Sequence, residues 1–177
     1  VILNETCLLI GWDENADGTF APGGSMTNFM SMLMARDKAN EKIRYEGAQK
    51  NLRVYTSQES HYSTPKNAAF SGIGRDNVQY VPSNEFGQMD ITHLRRMIEE
   101  DLSKGYVPTM VNLTAGTTVL GAFDSIPEIS QLCKLHNMWL HVDGAYCGSV
   151  FLSEKYKHLL HGIELVDSFS YNAHKML

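Results

Sequence analysis

The sequence predicts an α/β fold with a mostly parallel central sheet flanked by helices. Three observations point that way. Short apolar runs of strand length alternate with segments whose apolar residues recur at helical spacing. Polar or glycine-containing stretches follow the strand-like runs. The chain has 177 residues and is 43% hydrophobic, enough to bury one core around such a layer. Strands that alternate with helices are joined by crossovers, and crossovers make neighbouring strands parallel.

The elements follow in order. Met26, Phe29, Met30, Leu33 and Met34 fall at i, i+3, i+4, i+7 and i+8, so a helix buried along that face is expected. It opens with Pro22-Gly23-Gly24-Ser25, a turn followed by a serine of the type that caps helices. Leu52 to Thr56 reads as a strand, Thr64 to Phe70 as a short helix, and Gly72-Ile73-Gly74 as a turn. Val78 to Val81 is a second strand. Asp90 caps a helix that carries Ile91, Leu94, Met97, Ile98 and Leu102. Thr109 to Leu113 is a strand that runs into Ala115-Gly116-Thr117-Thr118. Ser125 begins a helix through Ile126, Ile129, Leu132 and Cys133. Met138 to Val142 is a strand that ends at Asp143, and Asp167 to Tyr171 is the last strand.

Ligands of such sheets sit beyond the carboxyl ends of the strands. Ser57–His61, Ala115–Thr118, Asp143–Ala145 and Asn172–Lys175 all follow strand ends, and Gly23–Ser25 heads a helix. These five stretches are expected to converge on one site.

Composition narrows the function. A net charge of −5, with His neutral, gives no basic face for nucleic acid and no polybasic membrane patch. No apolar run approaches the roughly 20 residues of a membrane-spanning helix. The opening Val-Ile-Leu-Asn-Glu lacks the basic start and cleavage site of a signal peptide. Cys7, Cys133 and Cys147 are odd in number and form no C-x-x-C pair, which argues against a disulfide framework and a thiolate zinc site. A soluble protein of a reducing, cytoplasmic compartment is expected. The chain starts in an apolar segment without Met and stops two residues after Lys175, so a piece of a longer chain, truncated at both ends, is expected.

The chemistry lies in four groups. Gly23-Gly24-Ser25 at a helix start offers free N–H groups, a helix dipole and a hydroxyl to an anion such as phosphate, although a simple capped turn has the same pattern. Asp143 at the end of a buried strand needs a cationic or N–H partner, which a protonated ring nitrogen or a structural neighbour could supply. Gly144 and Ala145 leave room for a flat ring, while His141 is read as structural, its side of the strand left open. His61 sits in a polar loop, free to stack on an aromatic ligand, to act as acid or base, or simply to be a satisfied loop residue. A lysine with an ordinary pKa of roughly 10.4 is a poor nucleophile, but a desolvated Lys175 becomes competent for Schiff-base chemistry. Together, a phosphate cradle, a stacking His, a carboxylate and a Schiff-base Lys are the parts that pyridoxal phosphate requires.

Order and spacing carry this further. The stretches FAPGGSMTNFMSMLMARDK, SQESHYS, NLTAGTTVLGAFD, WLHVDGAYCGSVF and HLLHGIELVDSFSYNAHKML occur in that order from about Gly11 onward. The sequence resembles the pyridoxal-phosphate-dependent group II amino-acid decarboxylases, which include glutamate, cysteine-sulfinate and aromatic-amino-acid decarboxylases. The resemblance implies that residues 1–177 form the core of the large, cofactor-binding domain of a fold-type I enzyme. It implies that Lys175 holds the cofactor as a Schiff base. Gly24, Ser25, Asn172 and His174 would hold the phosphate, and Asp143 the pyridine nitrogen. Ala145 and His61 would pack on opposite ring faces, with Thr118 near the ring and the substrate carboxylate. Lys175, His61 and Asp143 are thus the implied catalytic residues, and no metal is implied. It further implies a homodimer, and a catalytic-loop tyrosine and C-terminal domain that lie outside this chain.

Two positions depart from the family's pattern. Asp-Ala-Ala becomes Asp143-Gly144-Ala145, and Asn-Pro-His-Lys becomes Asn172-Ala173-His174-Lys175. Neither change removes a functional group. AGTTVLGAFD looks closer to the glutamate and cysteine-sulfinate branch, whereas DGAY and DSFSYNAHK lean toward the aromatic branch. An acidic substrate (glutamate, cysteine sulfinate or aspartate) is expected, an aromatic one being the alternative. Other pyridoxal-phosphate reactions, a non-catalytic homologue and a metal site built on His61, His141, Asp143 and His174 are the competing readings.

Overall fold

A computed structural model of the chain describes residues 1–47 and 51–176. Leu177, at the end of the last quoted stretch, lies outside the described residues. Five strands form one sheet: β1 (Leu52–Ser57), β2 (Val78–Val81), β3 (Val107–Thr114), β4 (Trp139–Gly144) and β5 (Ser168–Tyr171). Their spatial order is β2-β1-β3-β4-β5, and every neighbouring pair is parallel. The chain steps outward from β1 to β2, then returns to the other side of β1 to continue with β3. That reversal opens a crevice beyond the carboxyl ends of β1 and β3, where such folds bind ligands.

Helices cover both faces. On one lie α2 (Gly24–Ala39), α3 (Ile43–Glu46) and α4 (Ser63–Phe70). There Met32, Ala35, Ile43 and Ala68 bury against Leu52, Val54 and Met110. On the other lie α5 (Ile91–Ser103) and α6 (Ile126–Leu135). Leu94 and Ile98 of α5 and Ile129 and Leu132 of α6 pack there on Tyr55, Val111, Leu113, Leu140 and Val142. Strand alternation explains the split, since successive side chains of β1, β3 and β4 point to opposite faces. A further helix, α1 (Ile2–Ile10), precedes α2 and closes at Gly11 in the left-handed conformation. Three short 3₁₀ turns between Gly148 and Leu165 link β4 to β5. Asp90 caps α5 as expected, its Oδ1 accepting the His93 N–H at 3.0 Å.

Two expectations for α2 need correction. The residue before the helix is Gly23, and Ser25 lies inside the first turn and caps nothing. The apolar stripe also faces the wrong way for a core. Asn28, Ser31, Met32 and Ala35 are the buried residues, while Met26 and Met34 are 43% and 45% exposed. Phe29, Met30 and Leu33 are only partly buried. The physical reason is the surface below the helix: the sheet presents Thr56, Asn112, His141, Asp143 and Ser170 there, all buried and polar. A helix packed on that surface must turn small and polar side chains inward.

One buried carboxylate fixes the loop after β3. Asp124 accepts N–H groups of Met89 and Thr114, each at 2.7 Å, one on each oxygen. Burial pushes its carboxyl up to about 6, against the opposing effect of those two donors. The bonds tie the segment before α5 to the end of β3, at the rim of the crevice. Asparagine has one acceptor oxygen and would turn its NH₂ onto the other N–H. Asp124→Asn in the full-length protein is therefore expected to lose about 2 kcal/mol in chemical denaturation, the order of a buried polar group left unpaired.

Candidate active site

All five strands end at the same edge of the sheet, and a cleft of about 230 Å³ opens there. Gly24, Ser25, His61, Thr118, Asp143, Ala145, Asn172, His174 and Lys175 all line it. Every candidate site residue expected from the sequence thus reaches one cavity. Asn28 and Thr114 line it as well, and sequence reasoning missed them; Gly116 reaches it from the expected Ala115–Thr118 stretch.

The head of α2 forms one wall. The first turn-closing bond within it is donated by Met26 N–H to Gly23 O at 2.9 Å, so the N–H groups of Gly24 and Ser25 precede the helical ladder. No side chain caps them. Such a terminus attracts an anion. Gly24 must be glycine for a steric reason: a Cβ there would lie 2.7 Å from the Ala145 Cβ and 3.5 Å from Asn172 Nδ2. The helix start, the loop after β4 and the turn after β5 therefore meet at van der Waals distance.

Asp143 closes the floor and is 6% exposed. Its Oδ1 accepts the Ala145 N–H at 3.0 Å, and its Oδ2 accepts from Asn28 Nδ2 at 2.5 Å. His141 lies two residues earlier on the same strand face, which settles its orientation. It is 1% exposed and bonded behind Asp143, to Ser168 and Asn28. Burial holds its pKa well below the usual imidazole range, outweighing the pull of the Asp143 charge. Gly144 explains one departure from the family's pattern. A Cβ there would approach Phe169 Cε2 to 2.5 Å and Ser170 O to 2.7 Å.

His61 follows β1 and accepts the Ser63 N–H on Nδ1 at 3.2 Å, which leaves Nε2 as the protonated nitrogen of a neutral ring. Its ring lies 4.2 Å from that of Tyr62. Lys175, exposed, sits in a turn where its N–H donates to Asn172 O at 3.2 Å. Thr118 belongs to the loop pinned at its base by Asp124. The Thr114 hydroxyl is buried and unpartnered among the described residues, a polar group on the cleft wall with no mate of its own. His61, His141, Asp143 and His174 do not assemble into a metal-binding cluster among the described residues.

An open α/β sheet with an anion-binding helix start, a buried carboxylate and a lysine around one cleft defines a class of sites suited to a phosphorylated, ring-bearing cofactor. The particular family follows from comparison with known proteins. The pyridoxal-dependent decarboxylase conserved domain matches residues 2–177, and the chain belongs to that family. It is 43% identical to the acidic amino acid decarboxylase GADL1 of Xenopus tropicalis, over 99% of this chain and 35% of that protein. It superposes on the crystal structure of mouse CSAD with a TM-score of 0.95 and 43% identity, over 98% of this chain and 37% of that one. The tryptophan decarboxylase of Catharanthus roseus is more distant, at 27% identity and a TM-score of 0.87 over 98% of this chain and 39% of that one. The chain thus spans just over a third of the length of these relatives.

The residues present fit pyridoxal phosphate, since the uncapped N–H groups, the unpartnered Thr114 hydroxyl and the Gly24 cradle form a polar, close-fitting wall. A methyl group at Gly24 would push on the Ala145 Cβ, so it disturbs the cleft wall and the local packing together. Gly24→Ala should weaken pyridoxal phosphate affinity at least about tenfold by absorbance titration and also lower the melting temperature of the full-length protein.

Proposed function

We propose that the full-length protein is a pyridoxal-phosphate-dependent amino-acid decarboxylase acting on a small acidic amino acid. The observation that carries this reading is the convergence of nine expected cofactor and catalytic residues on one cleft in a chain of this family. Greater identity to decarboxylases of acidic amino acids than to a tryptophan decarboxylase supports the acidic substrate. We propose residues 1–177 as the core of the large cofactor-binding domain.

When bound, pyridoxal phosphate supplies the electron sink that lets the substrate α-carbon release carbon dioxide. The residues of this chain would do the rest. Lys175 would be the residue that holds the cofactor covalently. Gly24 and Ser25 receive the phosphate on their N–H groups, with Asn172 and His174 beside them. Asp143 would accept a hydrogen bond from the ring nitrogen. His61 and Ala145 would pack on the two faces of the ring, and Thr118 would border the substrate side. In this reading His61 bears its proton on Nε2, which can donate toward the ligand.

We also propose a homodimer in the cytoplasm, as the resemblance implies. The outward apolar stripe of α2 offers surface for a second copy, and the three cysteines are free thiols. No described helix is long and apolar enough to cross a membrane.

The test is product analysis on full-length protein given glutamate, cysteine sulfinate, aspartate and aromatic amino acids. Carbon dioxide and an amine from an acidic substrate are expected, with Lys175→Ala reducing turnover by at least about 10³-fold. A keto acid or aldehyde as product would overturn decarboxylation, and preference for an aromatic substrate would overturn the acidic assignment. Light scattering on the same preparation should return twice the chain mass; a monomer would refute the dimer.

A further inference from the structure

The hydrogen bonds behind Asp143 run in one direction, and that direction can be derived. The indole N–H of Trp139 can only donate, and it donates to Ser168 Oγ at 2.8 Å. The Ser168 hydroxyl proton is then free to point at His141 Nδ1, 2.8 Å away. With Nδ1 as the acceptor, every proton along the chain has a partner. A neutral imidazole has one proton left, on Nε2, and this meets Asn28 Oδ1 at 3.1 Å. Ser170 Oγ donates to the same oxygen at 3.3 Å. With its oxygen committed, the Asn28 amide must present NH₂ to Asp143 Oδ2, at 2.5 Å, and to Ser63 Oγ, at 3.4 Å.

The opposite arrangement is costly. If His141 Nδ1–H donated to Ser168 O, 3.2 Å away, Nε2 would become the acceptor and the Asn28 amide would have to turn over. Its oxygen would then face Asp143 Oδ2, which only a protonated carboxyl could tolerate. A protonated Asp143 cannot hold a cationic ring nitrogen. The setting that presents the Asn28 NH₂ is therefore the one matched to a carboxylate at Asp143.

We propose that Asn28 and His141 are positioning residues that hold a hydrogen-bond donor on Asp143 Oδ2 and so fix the carboxylate in place to accept the N–H of the ligand's ring nitrogen. Asn28, His141 and Ser170 are 4%, 1% and 4% exposed, so water cannot readily replace any of them. The inference rests on the reading of Asp143 as the group that faces the ring nitrogen.

The experiment uses full-length protein loaded with pyridoxal phosphate and compares Asn28→Leu, Ser168→Ala, Ser168→Thr and Asp143→Asn. Cofactor affinity and the visible absorption band at fixed pH are read, with melting temperature as the check on folding. Asn28→Leu should weaken affinity at least about tenfold and alter the band, the range expected when a supporting hydrogen bond behind a ligating group is lost. Ser168→Ala removes the hydroxyl that sets the tautomer and should move both readouts the same way, by about threefold in affinity. Ser168→Thr keeps the hydroxyl and should match wild type. If Asn28→Leu fails to fold, the alanine and threonine pair at Ser168 decides. Equal behaviour of that pair, or an unchanged band in a folded Asn28→Leu, overturns the inference. Asp143→Asn separates the two levels: if it leaves affinity and band unchanged, the reading of Asp143 itself is wrong.

Discussion

The burial of one carboxylate, Asp143, governs the site. A carboxylate at 6% exposure needs hydrogen bonds on both oxygens. One comes from the Ala145 N–H, which bends the chain just past β4, and the other from Asn28 on α2. Satisfying Asp143 therefore dictates what lies between α2 and the sheet. The helix must turn Asn28 and Ser31 inward, and the sheet below answers with His141 and Ser170. The stripe of Met26, Phe29, Met30, Leu33 and Met34 is displaced to the outer side of α2 as a result, while Met32 and Ala35 stay buried.

Topology does the remaining placement. Because β1 and β3 lead away in opposite directions, their following loops separate and leave the crevice that His61 and Thr118 flank. Close approaches then set its walls. Gly24 lets the head of α2 touch Ala145, and Gly116, at φ 82°, lies where a Cβ would strike Cys147. Asp124 holds the loop base from outside the cleft, with two backbone donors at 2.7 Å. The same close packing accounts for Gly144, where Phe169 and Ser170 leave no space for the methyl group of an alanine.

Much of this was legible in the sequence. The strand ends are marked by composition, because buried parallel strands are apolar and their exits are polar or glycine-containing. The cap at Asp90 and the nine candidate residues follow from local chemistry and from motif order. What failed was the side of α2. Helical periodicity shows that a helix is one-sided, not which side meets the core, and here the buried side answers to polar groups spread along the chain from Thr56 to Ser170. Asn28 was missed for the same reason. Its only signal is its position in the second turn after Gly23-Gly24, on the face opposite the methionine stripe. His141 was recoverable, since it lies two residues from Asp143 and strand alternation puts both on one face. The 3₁₀ turns between β4 and β5 carry no period to read.

The central claim is that this cleft binds pyridoxal phosphate through Lys175. Borohydride reduction of the full-length protein with added pyridoxal phosphate, followed by peptide mass mapping, tests it most directly. The account predicts one phosphopyridoxyl adduct within this segment, on Lys175. No adduct there, or labelling spread evenly over the segment's other lysines, would contradict it.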